Sequence, residues 1–385
     1  MKKSCLLILF QLQFLSVAAG SDLQQKLEVD IEDGKLDQFS LIEAAFIVSG
    51  VTSEDTLATS LDWFRGILKD IEIKNLVDRM HETVSAERLF LYFHTTWLKT
   101  YKKEATTLLD VQQRKEYNCV SATVLYNLTC DELGLTTEGF ETPSHVYTIF
   151  SNFSEYVMVE NTTSMGFNII KNLKRYSQYL AQYFPDKLNY KIGLDRIYAY
   201  ENSKGRPITN TELIGLIGYN KAVFSANEKE YSAAYNHLLL AQKFNADSRS
   251  NQKFEVHLYY QWGRQLFEQR KFYEAFEIFA DATYRYDENQ DFMKNCVLAF
   301  KNTLKMAWFS KDWEVTEKSI REMAELEILN DKDYQFQKNV LINWLNLFLQ
   351  EKDKDQARRV IGVIKQNHQL DDSLREIEKL IEGLP

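Results

Sequence analysis

The chain has 385 residues and a formal net charge of −9, which argues against the basic footprint of a nucleic-acid-binding protein. Hydrophobic residues make up 45% of the chain and aromatic residues 13%, enough material for two or three packed domains. Only four prolines and 14 glycines occur, and this scarcity of helix breakers favours a helix-rich protein.

The first 20 residues have the composition of a secretory signal peptide. Two lysines precede an apolar stretch from Cys5 to about Val17, and small residues follow at positions 18–20. The apolar stretch is shorter than the ~20 residues that a membrane span needs, although an N-terminal anchor is the alternative. We therefore predict a secreted or periplasmic protein with no membrane span after the signal is removed.

Residues 21–170 are predicted to form one domain that begins with helices. The segment FSLIEAAFIVSG ends at Gly50, a residue type that commonly terminates a helix. Thr52 or Ser53, followed by two acidic residues, predicts the start of a second helix. A third periodic run extends from about residue 75 to residue 103, so residues 22–115 are predicted to be mostly helical.

The cysteines and isolated histidines include few candidates for chemistry. Without Cys5, an odd number of cysteines remains, and this does not make a disulfide framework. Cys130 lies about 16 Å beyond Cys119 in one predicted helix, too far for a disulfide. We predict that Cys130 and Cys296, on apolar faces, are buried core thiols. His81 and His94 are interpreted as partly buried structural residues.

The segment RKEYNCVSATVLYNL places Cys119 at the first turn of a predicted helix over residues 119–133, which ends at Gly134. A helix N-terminus lowers the pKa of a cysteine, and the thiolate is the nucleophilic form. The alternative is a partly buried structural thiol. Position and residue type together make this cysteine the candidate nucleophile.

A predicted β-hairpin follows the helix. HVYTIF (145–150) and EYVMVEN (155–161) are rich in β-branched and aromatic residues and flank the turn-like SNFS. Its midpoint places position 145 opposite position 160, so we predict a hydrogen bond between His145 and Glu160 on one face of the sheet. His145 would act as the base and Glu160 would orient it; a simply solvated acid at 160 is the alternative.

Three residues are candidates for completing an oxyanion hole. The backbone N–H of Cys119 is the first expected donor, and Tyr117, Asn118 or Gln113 could supply the second. No close ligand spacing among the cysteines and histidines supports a zinc site, so we expect neither a metal nor a cofactor.

Three glycosylation sequons, at Asn127, Asn152 and Asn161, lie in or beside these elements. Two of them fall in regular secondary structure near the predicted site, so we interpret the matches as chance.

From residue 207 to residue 385 the chain repeats itself. One position in four aligned segments, spaced 41 residues apart, is occupied by Ala234, Ala275, Thr316 and Ala357. Four units at a constant period predict a stacked array of helical hairpins. Such arrays present concave surfaces that bind peptides or proteins, although a purely structural stack is the alternative. Residues 171–206 are predicted to be a helical connector.

Two families resemble parts of this chain. YNCVSATVLY, TPSHVYTIF and MVENTT resemble, in this order, the transglutaminase-like branch of the papain-like cysteine peptidase superfamily. Glu160 stands where that family more often has Asp. Residues 39–70 resemble the leader of exported bacterial members, which often carry tetratricopeptide repeats. QWGRQLFEQRKFYEAFEIFADATYRYDEN resembles such a repeat, with small residues at Gly263, Ala275 and Ala282 and large residues at Phe272 and Phe279.

The resemblance implies an α+β transglutaminase-like domain, with helices packed on a small antiparallel sheet, followed by an all-α helical-repeat array. It implies a Cys119–His145–Glu160 triad that hydrolyses an amide or ester, or transfers its acyl group, through a thioester. The repeats would bind a protein or peptide. The second hypothesis is a catalytically inactive scaffold for protein–protein interaction.

Overall fold

A computed structural model describes most of the chain. It covers residues 22–78, 80–150, 156–172, 174, 176, 178, 179, 181, 199, 202–368 and 372–382. The predicted signal peptide and hairpin turn and most of the predicted connector lie outside these residues. The described chain is mostly helical with a small antiparallel sheet, and it divides into two compact units after Phe254.

Eight α-helices of the first unit are described over their whole length, besides a short 3₁₀ helix at Ile169–Lys171. They are α1 Asp22–Asp30, α2 Leu41–Ser49, α3 Glu54–Ile73, α4 Glu82–Thr96, α5 Leu108–Arg114, α6 Cys119–Glu132, α7 Asn210–Asn227 and α8 Tyr231–Phe244. Its described strands are β1 Thr100–Tyr101, β2 Glu116–Tyr117, β3 Glu138–Thr142, β4 His145–Phe150, β5 Val157–Val159 and β6 Arg206–Ile208.

Local capping signals set several of these helix ends. Gly50 ends α2 with a φ of 117°, and Gly134 follows α6 with a φ of 81°, a region that glycine enters without steric cost. Ser53 caps α3 by accepting a hydrogen bond from the Thr56 N–H. These three predictions are confirmed.

The predicted third helix, from about residue 75 to residue 103, is too long at both ends, and helix α4 begins only at Glu82. Helix α4 stops at Thr96, and the chain then turns into β1, which pairs in parallel with β2. Helical periodicity in the sequence continues across this stretch. The pairing of Tyr101 with Tyr117 brings in a residue distant in sequence, and this overrides the local preference.

The main sheet has the strand order β5-β4-β3-β6, and its neighbouring strands are antiparallel. Strands β4 and β5 form the predicted hairpin. Their register is shifted by two residues from the prediction, because Thr148 pairs with Val159 and Ile149 with Met158. Continued by one residue, this register places position 147, rather than position 145, beside position 160, and the predicted face of each strand is unchanged because side chains alternate with a period of two.

Helix α6 is the centre of the first unit. Every residue from Val120 to Cys130 is buried, and the helix lies in one hydrophobic core with the inward residues Val146 and Phe150 of β4. A smaller core on the other face joins Tyr147 and Met158 with residues from the segment after β5. The sheet is thus covered on both faces.

The second unit is helical in its described residues. It contains most of α9 Arg249–Glu268, then α10 Phe272–Arg285, α11 Gln290–Ser310, α12 Trp313–Leu326, α13 Asp331–Glu351, α14 Lys354–Asn367 and α15 Asp372–Glu382. Consecutive helices such as α10 and α11 pack against each other.

The sequence period corresponds to a regular feature of the structure. Helices α8, α10, α12 and α14 each have 14 residues. The fourth residue of each is fully buried, and these residues are Ala234, Ala275, Thr316 and Ala357. The compact unit ending at Phe254 includes the first of these helices, so the division predicted after residue 206 stays a prediction.

No helix among the described residues has the length and apolar character needed to cross a membrane.

Candidate active site

Cys119 is the first residue of α6 and is partly buried. The Asn118 side-chain oxygen caps this helix by accepting hydrogen bonds from the N–H groups of Val120, at 2.9 Å, and Ser121, at 3.1 Å. The N–H of Cys119 itself has no hydrogen-bond partner among the described residues. The helix start therefore combines a thiol with one unused backbone donor, where the helix dipole favours negative charge.

His145 and Glu160 form a buried hydrogen-bonded pair. Nε2 of the imidazole lies 2.7 Å from Oε2 of the carboxylate, and the two side chains are 4% and 0% exposed. The register places residue 160 beside Tyr147, so Glu160 reaches His145 diagonally across the two strands. Long side chains can span such a diagonal. The predicted contact is therefore present, although the predicted opposite pairing is wrong.

The carboxylate of Glu160 is held by several donors besides His145. Thr162 donates from both its backbone N–H, at 3.0 Å, and its hydroxyl to Oε1. The hydroxyl of Tyr179 donates to Oε2 at 2.7 Å. Burial alone would raise the pKa of Glu160, but its charge interaction with His145 and these hydrogen bonds lower it. Glu160 is therefore a buried anion with both oxygens satisfied.

The backbone of Glu160 is fixed by a close approach to Gly166. The Glu160 N–H donates to the Gly166 carbonyl at 3.0 Å. A Cβ atom at position 166 would lie 1.9 Å from the Glu160 carbonyl oxygen, which no side chain could tolerate. The loop from Asn161 to Gly166 thus requires glycine at its end. This close approach fixes the backbone position from which the Glu160 side chain extends.

The imidazole of His145 lies between this carboxylate and Cys119. Burial disfavours the charged imidazolium, but the charge of Glu160 and hydrogen bonds to Cys119 and Glu160 outweigh it and raise the pKa of His145 to about 10. Because Nε2 faces the carboxylate, Nδ1 is the nitrogen that remains for the thiol. The site therefore places a thiol beside an imidazole whose charged form is stabilised by a carboxylate, and enzymes with a cysteine nucleophile use these three groups together.

The three predicted second oxyanion donors lie elsewhere or are occupied. The Asn118 amide caps α6 and donates to the Lys103 carbonyl at 2.9 Å, and the Tyr117 hydroxyl donates to the Thr162 carbonyl at 3.3 Å. Gln113 is exposed on α5, where it lines a surface cleft with Gln112 that does not include Cys119. The side-chain donors of Asn118 and Tyr117 are used by the helix cap and by the loop after β5, and the side chain of Gln113 lies in another cleft.

Two important neighbours were not found by sequence reasoning. Tyr179 lies in the predicted connector, 34 residues after His145, and no local pattern marks it. Its hydroxyl is 3.3 Å from Nε2 of His145 as well as bonded to Glu160. Tyr101 lies close enough to Cys119 for the charges of the two groups to interact. The pairing of β1 with β2 explains its position, and two-residue strands leave little trace in a sequence.

A ladder of buried polar side chains supports the site from behind. The Asn161 amide donates to the Thr123 hydroxyl at 3.1 Å and to the Thr148 hydroxyl at 2.8 Å. Thr148 in turn donates to Asn127, whose amide donates to Asn210 on α7 at 2.8 Å. These bonds join β4 and β5 to α6, so the sheet that carries His145 and Glu160 is held at a fixed position on the helix that carries Cys119.

The remaining predictions have mixed outcomes. Cys130 and Cys296 are fully buried, as predicted, and burial raises the pKa of both thiols. His94 is half-buried, but His81 is exposed and bonded to Asp78, so that prediction is wrong for His81.

Two of the three sequon asparagines, Asn127 and Asn161, are buried and belong to the polar ladder, which agrees with the interpretation as chance. Asn152 lies outside the described residues. In the part of the chain that the structure describes, no group of three His, Cys, Asp or Glu residues could hold a metal ion.

Comparison with known proteins assigns no family to this chain. No family model matches it, and no curated protein matches it. Among solved structures, it is similar to the crystal structure of menin that reveals the binding site for the Mixed Lineage Leukemia (MLL) protein. The two share 12% sequence identity over 94% of this chain and 88% of the menin chain, with a TM-score of 0.34, a level of similarity that supports no functional conclusion.

Proposed function

We propose that this protein is an exported cysteine enzyme with a transglutaminase-like domain, in which Cys119 attacks an amide or ester carbonyl. The observation that carries this proposal is the buried 2.7 Å contact between His145 and Glu160, together with the interaction of Cys119 with the same imidazole that helps to raise the pKa of His145. A nucleophile, a base and an orienting carboxylate in contact are the signature of covalent acyl chemistry.

The reaction follows from this arrangement in two stages. The Cys119 thiolate forms a C–S bond to the carbonyl carbon while the C=O π pair moves onto oxygen. When that pair returns, the C–N or C–O bond breaks and the imidazolium of His145 gives its proton to the leaving amine or alcohol. The neutral imidazole then takes a proton from water or an acceptor amine, which attacks the thioester and expels the thiolate. Glu160 stays ionised throughout and stabilises the imidazolium.

Water as the acceptor makes the protein a hydrolase, and an amine makes it an acyltransferase. Transglutaminase-like chemistry covers both outcomes, and both use the same Cys119, His145 and Glu160. The acceptor is decided by which molecule reaches the thioester, so product analysis with and without an added primary amine separates the two activities.

We propose that the helical region binds a protein or peptide for this site. Four 14-residue helices that each bury a small residue at the fourth position support the interpretation as repeats, which commonly present concave binding surfaces. The composition of residues 1–20 supports secretion or periplasmic export.

A thiol-reactive probe tests the catalytic proposal. The wild type and the variants Cys119→Ala and His145→Ala are treated with iodoacetamide at mildly acidic pH, and labelled sites are identified by mass spectrometry. We expect rapid labelling at Cys119, no labelling of Cys119→Ala, and much slower labelling of His145→Ala. The buried Cys130 and Cys296 serve as internal controls, since folded protein should leave them unlabelled. Labelling at the rate of a free cysteine would support the inactive scaffold instead.

A further inference from the structure

The start of α6 provides one of the donors that acyl transfer requires. A tetrahedral intermediate places negative charge on the former carbonyl oxygen, and enzymes usually stabilise it with two or more preorganised donors. The N–H of Cys119 is unused, but the N–H groups of Val120 and Ser121 are bonded to Asn118. The Asn118 amide and the Tyr117 hydroxyl donate to backbone carbonyls. A second donor must therefore come from another element beside Cys119.

The strand β1 runs beside the residues that lead into Cys119. Tyr101 pairs with Tyr117, two positions before Cys119, and the Lys102 N–H donates to the Tyr117 carbonyl at 2.9 Å. The next residue, Lys103, accepts the hydrogen bond of Asn118 through its carbonyl oxygen. These contacts fix β1 against the start of α6, and neighbouring strands lie only about 4.8 Å apart.

The side chain of Tyr101 has the properties of an available donor. Its ring packs edge-on against Tyr117 with centroids 5.8 Å apart, and the residue is 50% exposed. Its hydroxyl makes no hydrogen bond to any described residue. Burial and then the charges of Cys119 and Glu160 raise the pKa of Tyr101 to about 12, so the hydroxyl keeps its proton at neutral pH and can donate it.

We propose that the Tyr101 hydroxyl is the second oxyanion donor of this site, acting with the N–H of Cys119 on the substrate carbonyl oxygen. The assignment rests on the proposed function and makes Tyr101 a catalytic residue. The hydroxyl donates a hydrogen bond while the C=O π pair resides on oxygen, and no proton leaves Tyr101. When the pair returns and the leaving group departs, the hydrogen bond weakens again.

Two probes of the same thiol separate this role from a structural one. p-Nitrophenyl acetate acylates a cysteine through attack on its carbonyl carbon, which places negative charge on oxygen, so an oxyanion hole accelerates this reaction. Iodoacetamide alkylates the same sulfur by displacement at a saturated carbon and creates no oxyanion. Both rates are measured on the full chain for the wild type, Tyr101→Phe, Cys119→Ala and Tyr156→Phe. Tyr156 is a matched control, because it is 48% exposed and about 13 Å along the strand from Glu160.

We expect Tyr101→Phe to slow acylation at least about tenfold and to leave alkylation within about twofold of the wild type. This loss is smaller than the roughly 10²–10³-fold cost of removing a buried oxyanion donor, because water can reach a half-exposed position. Tyr156→Phe should match the wild type in both reactions. Circular dichroism verifies that Tyr101→Phe, which retains the ring that packs on Tyr117, is folded.

The other outcomes overturn distinct statements. Equal slowing of both reactions, or of neither, in Tyr101→Phe contradicts the oxyanion role while leaving the proposed enzyme intact. A wild type acylated no faster than Cys119→Ala contradicts the proposed function, and the role of Tyr101 is rejected with it.

Discussion

Glu160 reaches His145 diagonally across β4 and β5, so the length of its side chain decides whether the pair exists. The 2.7 Å contact joins residues that the sheet register does not place opposite each other. The backbone of Glu160 cannot shift toward His145, because it is bonded to Gly166 at 3.0 Å.

Shortening the acid by one methylene should therefore break the pair. In Glu160→Asp the carboxylate lies about 1.5 Å farther from the imidazole of His145. The present 2.7 Å contact would then exceed hydrogen-bond distance. We expect a loss of about 3–5 kcal/mol in the stability of the first unit, since a buried charge is left unpaired. Urea unfolding measures this loss, with hydrogen exchange of the β4 amides as the signal for the first unit. An unchanged midpoint would show that the backbone adapts.

Removing the charge but keeping the length should lower the pKa of His145. Burial is the largest influence on this imidazole and favours its neutral form, and Glu160 is the main opposing influence. In Glu160→Gln we expect the pKa of His145 to fall from its raised value to below about 6.5, the value in an unfolded chain. NMR titration of the imidazole, assigned with His145→Gln, measures the change. Glu141→Gln, which removes another buried acid of the same sheet, should leave the titration unchanged.

The raised pKa of His145 also predicts how stability depends on pH. Above about pH 6.5 the unfolded histidine loses its proton while folded His145 keeps it. The stability that this group contributes is complete below that pH and is lost as pH rises through the folded pKa. The slope approaches about 1.36 kcal/mol per pH unit. Glu160, whose pKa is lowered, contributes above about pH 4.3 and loses its contribution as pH falls.

This slope is tested by measuring the unfolding free energy of the first unit between about pH 7 and 9. The first unit is followed by itself, because a chain with two units has no single unfolding free energy. The difference in stability between the wild type and His145→Gln should decrease steadily over this range. Parallel curves for the two proteins would mean that folded His145 is neutral.

Tyr179 should stabilise the Glu160 carboxylate through the hydrogen bond from its hydroxyl to Oε2. Its hydroxyl is buried and donates to Glu160 at 2.7 Å, and a hydrogen bond to a charged group contributes about 1.5–3 kcal/mol. We expect Tyr179→Phe to destabilise the first unit by that amount and to raise the pKa of Glu160. Urea unfolding and a carboxyl NMR titration measure the two effects. Tyr156→Phe, at an exposed position, should produce neither.

Local signals in the sequence predicted the parts of the site that depend on neighbouring residues. The start of α6 at Cys119 and both ends of β4 match the structure, because caps and side-chain alternation act over a few residues. The two-residue error in register has a similar cause. The predicted register rested on the midpoint of the predicted turn alone, and a shift of two residues leaves every side chain on the same face, so the alternation of apolar residues does not correct it.

Features that depend on distant residues were not predicted. Strand β3 contains Gly139 and two glutamates, and β6 contains Pro207, residue types that are uncommon in strands. Proline is tolerated because β6 is at the edge of the sheet. Tyr179 and Tyr101 enter the site through pairing and packing across long stretches of chain, which no local pattern encodes. The hydrogen bond from the Asn118 amide to the Lys103 carbonyl is likewise a contact between separate elements, and no pattern in the sequence indicated it.

Gly263 should be essential for packing in the second unit, independently of the proposed function. A Cβ atom there would lie 2.5 Å from the ring of Phe279 on α10, closer than any van der Waals contact. We expect Gly263→Ala to destabilise this unit by about 1–3 kcal/mol, as overpacking does. Gly362 on α14 is the matched control, because a Cβ atom there meets nothing within 4 Å. Gly362→Ala should stabilise the unit by about 0.5–1 kcal/mol through helix propensity. Urea unfolding detected by exchange of α10 amides compares the two, and equal effects would contradict close packing of α9 on α10.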